Sequence, residues 1–256
     1  MLTVSNERGE SSRAAVFICS SDSRRDVLSR VLPSVLRFWT DRTYPLYVGM
    51  SSPLSLPGDV KPIYAPASDW RGEFTRQLAQ IPQDYIVLLL DDFLVHAPVD
   101  QVRMSQLVST AIDGDFQYLR LVPLGRSLAS RITGRRPAQL LPGIEEIPSH
   151  HPFFCGLQAA IWHKRYLLSL LEAEQSIWEF ERRSISGSRH YAINTSAPIR
   201  YRHLVERGRW LPYARSLLQR AGLPDDLGDR MIWPRSRYGR LLLDQLSWVI
   251  VGHSTC

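Results

Sequence analysis

Continuous apolar runs alternate with amphipathic segments from residue 14 to about residue 175 of the chain. The run AAVFICS (14–20) is rich in β-forming residues and has no polar interruption, which predicts a buried strand. Four later segments are also predicted to be strands. They are YPLYVGMSS (44–52), VKPIYAP (60–66), DYIVLLLDD (84–92) and FQYLRLVP (116–123).

Between these runs, apolar residues recur at helical spacing. In RRDVLSRVLPSVLRFW (24–39) they fall three and four positions apart, which predicts a helix with one buried face, and Asp22 or Ser23 is the expected N-cap. Three further helices are predicted. They are DWRGEFTRQLAQI (69–81), QVRMSQLVSTAID (101–113) and AAIWHKRYLLSLLEA (159–173).

Strands that alternate with helices predict an α/β fold, with a mostly parallel sheet flanked by helices. Residues 1–12 are polar and predicted to be disordered, and residues 13–221 are predicted to form the main domain. Residues 126–152 are rich in Gly, Pro and Arg and predict a long loop over the site. Residues 222–256 form a basic, amphipathic extension, which packs on the domain or lies on a membrane.

The charge of the chain is positive and unevenly distributed. The formal net charge is +6, and only Lys61 and Lys164 are lysines, so the rest of the positive charge is arginine. Between Arg182 and Arg240 arginines are dense and acids few, which predicts a basic face for an anionic ligand or an anionic membrane. The stretch matches no nucleic-acid-reading motif, so nucleic acid is not expected as a partner.

Cysteine spacing and hydropathy give information about the cellular location of the protein. The three cysteines lie far apart in the chain and fit neither a zinc site nor a disulfide framework. The first residues contain no apolar signal core, and the longest apolar runs are too short to span a bilayer. We therefore expect a cytoplasmic protein, with peripheral contact to the inner face of the membrane left open.

Two adjacent carboxylates, Asp91 and Asp92, end the apolar run of the fourth predicted strand. Neighbouring like charges repel and resist burial unless a positive group lies close to them. Divalent cations such as Mg²⁺ bind oxygen ligands and keep several waters, so one or two carboxylates can hold one against a diphosphate. The alternative is that one aspartate caps the following turn while the other is solvated.

Ligands of parallel sheets bind beyond the carboxyl ends of the strands. The polar segment Ser20, Ser21 and Asp22 follows the first predicted strand, just as the aspartate pair follows the fourth. Other nucleotide motifs are absent from the sequence, which contains no GxxxxGK[ST] loop and no GxGxxG after the first strand. No G-x-S-x-G elbow is present either.

The order of these segments resembles that of GT-A glycosyltransferases, the nucleotide-sugar-dependent enzymes of bacterial polysaccharide and lipopolysaccharide synthesis. The similarity covers roughly residues 14–210. The segments that carry it are CSSDSRRDVLSRVLPSVLRFWTDRTYPLYVGMSS, DWRGEFTRQLAQIPQDYIVLLLDDFL, FFCGLQAAIWHKRYLLSLL and SIWEFE.

The resemblance implies a donor site. Ser20, Ser21 and Asp22 correspond to residues that contact the nucleotide, and Asp91 and Asp92 correspond to the acidic motif that binds the diphosphate together with Mg²⁺ or Mn²⁺.

The resemblance also adds a third metal candidate. His203 lies where some members place a late metal or diphosphate ligand. Phe93 departs from the family pattern, because it stands where the last acid of Asp-x-Asp is expected, and strict metal dependence is therefore left open.

On the acceptor side, the resemblance assigns the catalytic base to the segment SIWEFERR (176–183). Glu179 matches the base and Glu181 the last acid, but Trp178 replaces the first acid of that motif, so the choice between the two glutamates stays open. Three aromatic residues are candidates for the wall of the acceptor site, with core packing as the alternative. They are Phe153, Phe154 and Trp162.

The sequence thus predicts an inverting glycosyltransferase. It would move a sugar from a nucleotide diphosphate sugar to a hydroxyl of a glycan or a lipid-linked glycan. Two alternatives remain open: a nucleotidyl- or phosphotransferase that uses the same aspartate pair, and a non-catalytic glycan-binding module.

Overall fold

The computed structural model describes residues 13–124, 139–149, 151, 154–172, 177–182, 185 and 187–241. The predicted disorder of residues 1–12 and the end of the predicted extension lie outside these residues. The chain forms two compact units. Unit 1 comprises Met1–Asp22, Asp41–Leu90 and Val99–Ile199. Unit 2 comprises Ser23–Thr40, Asp91–Pro98 and Arg200–Cys256.

Thirteen strands are found in the described part of the chain. They are β1 (Ala14–Cys19), β2 (Leu46–Met50), β3 (Lys61–Tyr64), β4 (Tyr85–Leu90), β5 (Phe93–Val95), β6 (Tyr118–Arg120), β7 (Gln139–Leu141), β8 (Ile144–Glu146), β9 (Ala160–His163), β10 (His190–Ile193), β11 (Tyr201–His203), β12 (Val205–Glu206) and β13 (Arg209–Trp210).

The helices of the described residues include six α-helices and a short 3-10 helix, Asp22–Arg24. The α-helices are α1 (Arg25–Phe38), α2 (Trp70–Ala79), α3 (Gln101–Asp113), α4 (Lys164–Leu171), α5 (Ile177–Arg182) and α6 (Ala214–Arg220). Because the 3-10 helix precedes α1, the N-cap is Arg24 and neither Asp22 nor Ser23, which corrects the prediction.

Unit 1 is built on a nine-stranded sheet with the order β3-β2-β1-β4-β9-β6-β10-β8-β7. Seven strands run in one direction and only β9 and β8 run against them. The helices α2 and α4 pack against β2 and β9. The predicted α/β class, a mostly parallel sheet flanked by helices, is therefore confirmed.

Two stretches of unit 1 differ from the prediction. Residues 160–163 of the predicted helix 159–173 form the strand β9, which lies between β4 and β6, because the apolar side chains of Ala160, Ile161 and Trp162 are buried there. The predicted loop 126–152 contains the hairpin β7–β8, which pairs with β10 at the sheet edge. Short strands of this kind lack the long alternating pattern that identifies a strand in sequence.

The core of unit 1 is dense in aromatic rings. Trp162 is fully buried and lies near Tyr118, with ring centroids 4.3 Å apart, and near Phe180 at 6.1 Å. Phe180 comes from α5, so its buried side chain ties this helix to the aromatic cluster, and Ile177 of the same helix also packs against the core.

Unit 2 forms around α1 and two small antiparallel pairs, β5–β11 and β12–β13. The apolar stripe predicted for α1 is buried, and Ser34 on the same helix accepts a hydrogen bond from the backbone N–H of Val95 in β5. Part of the predicted extension belongs to this unit, since Arg37 donates to the carbonyls of Ala221 and Gly222. The predicted boundaries at residues 13, 221 and 222 stay predictions. Among the described residues, no helix is long and apolar enough to cross a membrane.

Candidate functional site

The aspartate pair lies in unit 2, in the turn that follows β4 in the chain. Both residues are 5% exposed. Asp91 is paired with Arg24, whose Nη2 lies 3.1 Å from Oδ1 and whose Nε lies 3.3 and 3.4 Å from Oδ1 and Oδ2. The positive group that the buried pair requires is therefore supplied in part by the chain itself.

Asp92 has a different partner. The register of the antiparallel pair β5–β11 sets His203 opposite Phe93, the residue after Asp92. As a result, Nδ1 of His203 lies 3.2 Å from Oδ2 of Asp92. The backbone completes the arrangement, since the N–H of Leu204 donates to the Asp92 carbonyl at 3.0 Å. The structure thus brings together two of the residues that the resemblance indicated.

Phe93, the departure from the acidic motif, has a packing role. Its side chain is fully buried, stacks on Tyr201 at 4.2 Å and meets His203 edge-on at 4.8 Å between ring centroids. A carboxylate at this position would be buried between rings, at the cost of its desolvation. Phe93 instead helps to hold the imidazole of His203 beside Asp92.

A second ion pair fixes the turn that carries Arg24. Arg230 binds Asp26 through both guanidinium edge atoms, with Nε–Oδ2 at 2.6 Å and Nη2–Oδ1 at 2.7 Å, and also donates to the Ser23 carbonyl at 2.6 Å. Burial alone would raise the pKa of Asp26, but the hydrogen bond and charge of Arg230 lower it below its usual value. The carboxylate therefore stays ionised, as a forked pair requires.

Glu206 is a further acidic group of this unit. Burial raises the pKa of Glu206, and the charge of Asp92 raises it further, against the opposing effects of Arg207 and His203. Its Oε1 is buried and has no hydrogen bond among the residues that the structure describes. Glu206 therefore holds a proton more readily than an exposed glutamate does.

The donor set of this unit fits a divalent cation only in part. Among the described residues, no group of three His, Cys, Asp or Glu side chains could hold a metal ion. Asp92 and His203 could supply two ligands, and Mg²⁺ commonly takes its others from water and from substrate phosphates. Asp91 contributes less, since Arg24 already occupies its carboxylate.

The polar cluster after β1 lies in unit 1. The carboxylate of Asp22 accepts two hydrogen bonds from Ser52, from the backbone N–H at 3.1 Å and from the hydroxyl at 2.6 Å. The N–H of Asp22 donates to the Ser51 hydroxyl, which in turn donates to Glu73. Asp22 is thus oriented by the segment that follows β2, the neighbouring parallel strand.

The other two residues of the predicted nucleotide segment also lie at this strand end. Ser20 is 6% exposed, and its carbonyl accepts a hydrogen bond from the buried Gln77 of α2 at 3.2 Å. Ser21 is half-buried.

The two candidate bases lie on α5, a short helix of unit 1. Glu179 is exposed, whereas Glu181 is half-buried and its Oε1 accepts a hydrogen bond from the Leu157 N–H at 2.9 Å. Glu181 therefore has a structural partner that ties α5 to the segment before β9, and the more accessible carboxylate is that of Glu179.

Of the predicted acceptor residues, Phe154 and Trp162 lie in the core. Phe154 is 1% exposed and stacks on His190 at 4.1 Å, and Trp162 is fully buried. Their burial agrees with the core-packing alternative, while contact with an acceptor stays a prediction. Phe153 lies outside the described residues.

Several polar residues of these clusters were not among the predicted site residues. Ser51 and Ser52 directly follow the parallel strand β2, so the rule that identified the segments after β1 and β4 could also have identified them. Arg24 lies only two residues beyond Asp22. No local signal pointed to Arg230, because its partners are about two hundred positions away in the sequence.

A scan against protein-family models finds no match for the chain. A search of curated proteins finds no match either. Among solved structures, the chain is similar to S. aureus TarS, with 10% identity over 77% of this chain and 37% of that one, at a TM-score of 0.47.

Two other solved structures are similar at the same level. The 1–349 fragment of S. aureus TarS in complex with UDP-GlcNAc is 11% identical over 77% of this chain and 60% of that one, with a TM-score of 0.45. A 4-diphosphocytidyl-2C-methyl-D-erythritol synthase is 13% identical over 82% of this chain and 98% of that one, with a TM-score of 0.44. The chain thus spans 37% to 60% of the length of these TarS structures. All three TM-scores lie below 0.5, so they identify no family for this chain.

Proposed function

We propose that this protein is a glycosyltransferase that uses a nucleotide diphosphate sugar as donor. One observation carries the proposal: β1 and β4 are parallel neighbours with Cys19 opposite Leu90, and a polar segment directly follows each of them in the chain. The carboxyl ends of neighbouring parallel strands are where sheets of this class bind nucleotides. The resemblance of the sequence to GT-A enzymes refines this to sugar transfer.

The polar segment after β1 and the pair formed by Asp92 and His203 have different roles in this proposal. Ser20, Ser21 and Asp22 bind the nucleoside part of the donor, with Asp22 held in position by Ser52. Asp92 and His203 would hold Mg²⁺ or Mn²⁺, which supplies positive charge for a leaving diphosphate when it is bound.

Glu179 serves as the general base of the transfer. Its carboxylate takes the proton of an acceptor hydroxyl, and the oxygen then forms a bond to the anomeric carbon of the sugar. The bond from that carbon to the diphosphate breaks on the opposite face, so the configuration inverts and the nucleoside diphosphate leaves. The acceptor would be a hydroxyl of a glycan or of a lipid-linked glycan.

The proposal is tested by nucleotide-dependent stabilisation. A ligand that binds only the folded state raises Tm, and at one hundred times its Kd it adds about 2.7 kcal/mol to the free energy of unfolding. We expect UDP or GDP with Mn²⁺ to raise Tm, and we expect Asp92→Ala to abolish the rise. Arg189→Ala is the matched control, since this side chain is exposed and its ion pair is with Asp115, away from the aspartate pair in the sequence.

The same samples separate the alternatives. Release of a nucleoside diphosphate from a panel of nucleotide sugars supports the glycosyltransferase. Turnover of a nucleoside triphosphate without sugar transfer would favour a nucleotidyltransferase. A protein whose Tm responds to no nucleotide, whatever the base, would contradict both enzymes and favour a binding module.

A further inference from the structure

The contact between Arg24 and Asp91 uses only one edge of the guanidinium group. Nε and Nη2 face the carboxylate, at distances between 3.1 and 3.4 Å. A guanidinium carries five N–H donors in a rigid plane. Nη1 makes no hydrogen bond to any residue that the structure describes, so the outer edge formed by Nη1 and Nη2 can receive a second anion.

The exposure of the two side chains also indicates that an anion could bind to Arg24. The Asp91 side chain is 8% exposed, whereas that of Arg24 is 25% exposed. The carboxylate is therefore the more enclosed member of the pair, and the guanidinium is the member that a ligand can reach. A planar fork of this kind suits the oxygens of a phosphate.

Arg24 is also held rigidly at its backbone. Arg230 bridges the carbonyl of Ser23 and the carboxylate of Asp26, the residues on either side of Arg24 and Arg25. A guanidinium is protonated throughout the accessible pH range, so Arg24 remains a cation beside Asp91. Binding groups that are fixed in advance lose little entropy when the ligand arrives.

We infer that Arg24 binds a phosphate group of the nucleotide ligand and that Asp91 is a positioning residue for Arg24 rather than a metal ligand. The inference rests on the proposed function, and it adds the side chain of Arg24 to the site that binds the diphosphate. Any divalent cation would then depend on Asp92 and not on Asp91.

The experiment uses inorganic pyrophosphate as the probe and the full chain, with calorimetric titration in EDTA and, separately, in Mn²⁺. In EDTA the wild-type protein binds pyrophosphate, and Arg24→Gln weakens binding by about tenfold or more, the usual loss for a charged hydrogen-bond donor. Arg24→Lys keeps the charge but loses the fork, so it also weakens binding. Arg37→Gln removes an arginine from the far end of the same helix and leaves binding unchanged.

Variants of the two aspartates distinguish a positioning role for Asp91 from a metal-binding role for Asp92. Asp91→Asn retains the gain in pyrophosphate affinity that Mn²⁺ gives the wild-type protein, and Asp92→Asn loses it. Equal binding by wild-type protein and Arg24→Gln in EDTA would overturn the inference, as would loss of the Mn²⁺ gain in Asp91→Asn. If Arg24→Gln does not fold, Arg24→Lys decides by the same comparison.

The inference and the proposed function fail differently. Pyrophosphate binding that occurs only with Mn²⁺ and does not depend on Arg24 overturns the inference and leaves the proposed function intact. Failure to bind pyrophosphate and every nucleotide sugar, with and without Mn²⁺, contradicts both.

Discussion

At the scale of single residues, His190 is a buried titratable group of unit 1 with two hydrogen-bond partners. It is fully buried in the aromatic core, with Nδ1 donating to the Phe154 carbonyl at 2.9 Å and Nε2 lying 2.8 Å from the Tyr166 hydroxyl. Burial lowers the pKa of His190 from 6.5 to about 4, because it disfavours the imidazolium more than the hydrogen bond to Phe154 favours it. His190 is thus a neutral core residue.

This burial makes stability depend on pH. The contribution of neutral His190 is complete above pH 6.5 and is lost as the pH falls towards 4, because the unfolded chain takes up the proton first. The loss amounts to about 3 kcal/mol, at about 1.4 kcal/mol for each pKa unit. Urea unfolding at several pH values measures it, and His190→Gln should reduce the slope between pH 6.5 and 4. A slope that is unchanged in this variant would contradict the assignment.

At the scale of elements, the close approach of α2 to β2 depends on a glycine. A Cβ on Gly49 would lie 2.1 Å from Oε1 and 2.4 Å from Cδ of Gln77. Gln77 has no room to move freely, since it is fully buried and donates to the Ser20 carbonyl. Gly49 therefore allows α2 to hold the strand-end segment that begins at Ser20.

Replacing this glycine should destabilise the protein. We expect Gly49→Ala to lower the free energy of unfolding by about 1–3 kcal/mol, the usual cost of overpacking, because Gln77 must leave its hydrogen bonds. Urea unfolding measures the change. Gly239→Ala is the control, because a Cβ there meets nothing within 4 Å. Equal stability of Gly49→Ala and wild type would show that Gln77 is not fixed.

At the scale of the whole molecule, an excess of positive charge coincides with two exposed apolar side chains in the stretch 200–241. Residues 200–241 hold ten arginines against four carboxylates, an excess of six that equals the net charge of the entire chain. Met231 is 61% exposed and Ile232 is 46% exposed in the same stretch. Arg215 and Arg235 line a surface groove there together with Tyr213 and Tyr238. Cationic groups beside exposed apolar side chains favour binding at an anionic bilayer surface.

We therefore expect the protein to co-sediment with vesicles that contain phosphatidylglycerol, and much less with pure phosphatidylcholine vesicles. Replacing both Met231 and Ile232 by Ser should weaken binding by about tenfold or more, since two buried apolar side chains contribute about 1.5–3 kcal/mol each. Val102→Ser is the control, because Val102 is 71% exposed but belongs to α3 in unit 1. Equal sedimentation with both kinds of vesicle would contradict the expectation.

The long hydrophobic patterns determined much of the fold. The strands β1, β2 and β4 and the helices α1, α2 and α3 all lie within their predicted segments, because each buries enough apolar surface to show its period in sequence. The same patterns show that a polar segment directly follows β1 and another directly follows β4 in the chain.

Only the tertiary structure decided which groups meet. The pairing of β5 with β11 brings His203 to Asp92, and the turn after β1 brings Arg24 to Asp91. Such contacts join residues 111 and 67 positions apart, and no local spacing encodes them. The sequence by itself therefore determined that a buried aspartate pair needs positive charge nearby. That Arg24 and His203 lie beside the pair was decided by long-range packing, because the attraction between two charges weakens as their separation grows and only the folded chain sets that separation.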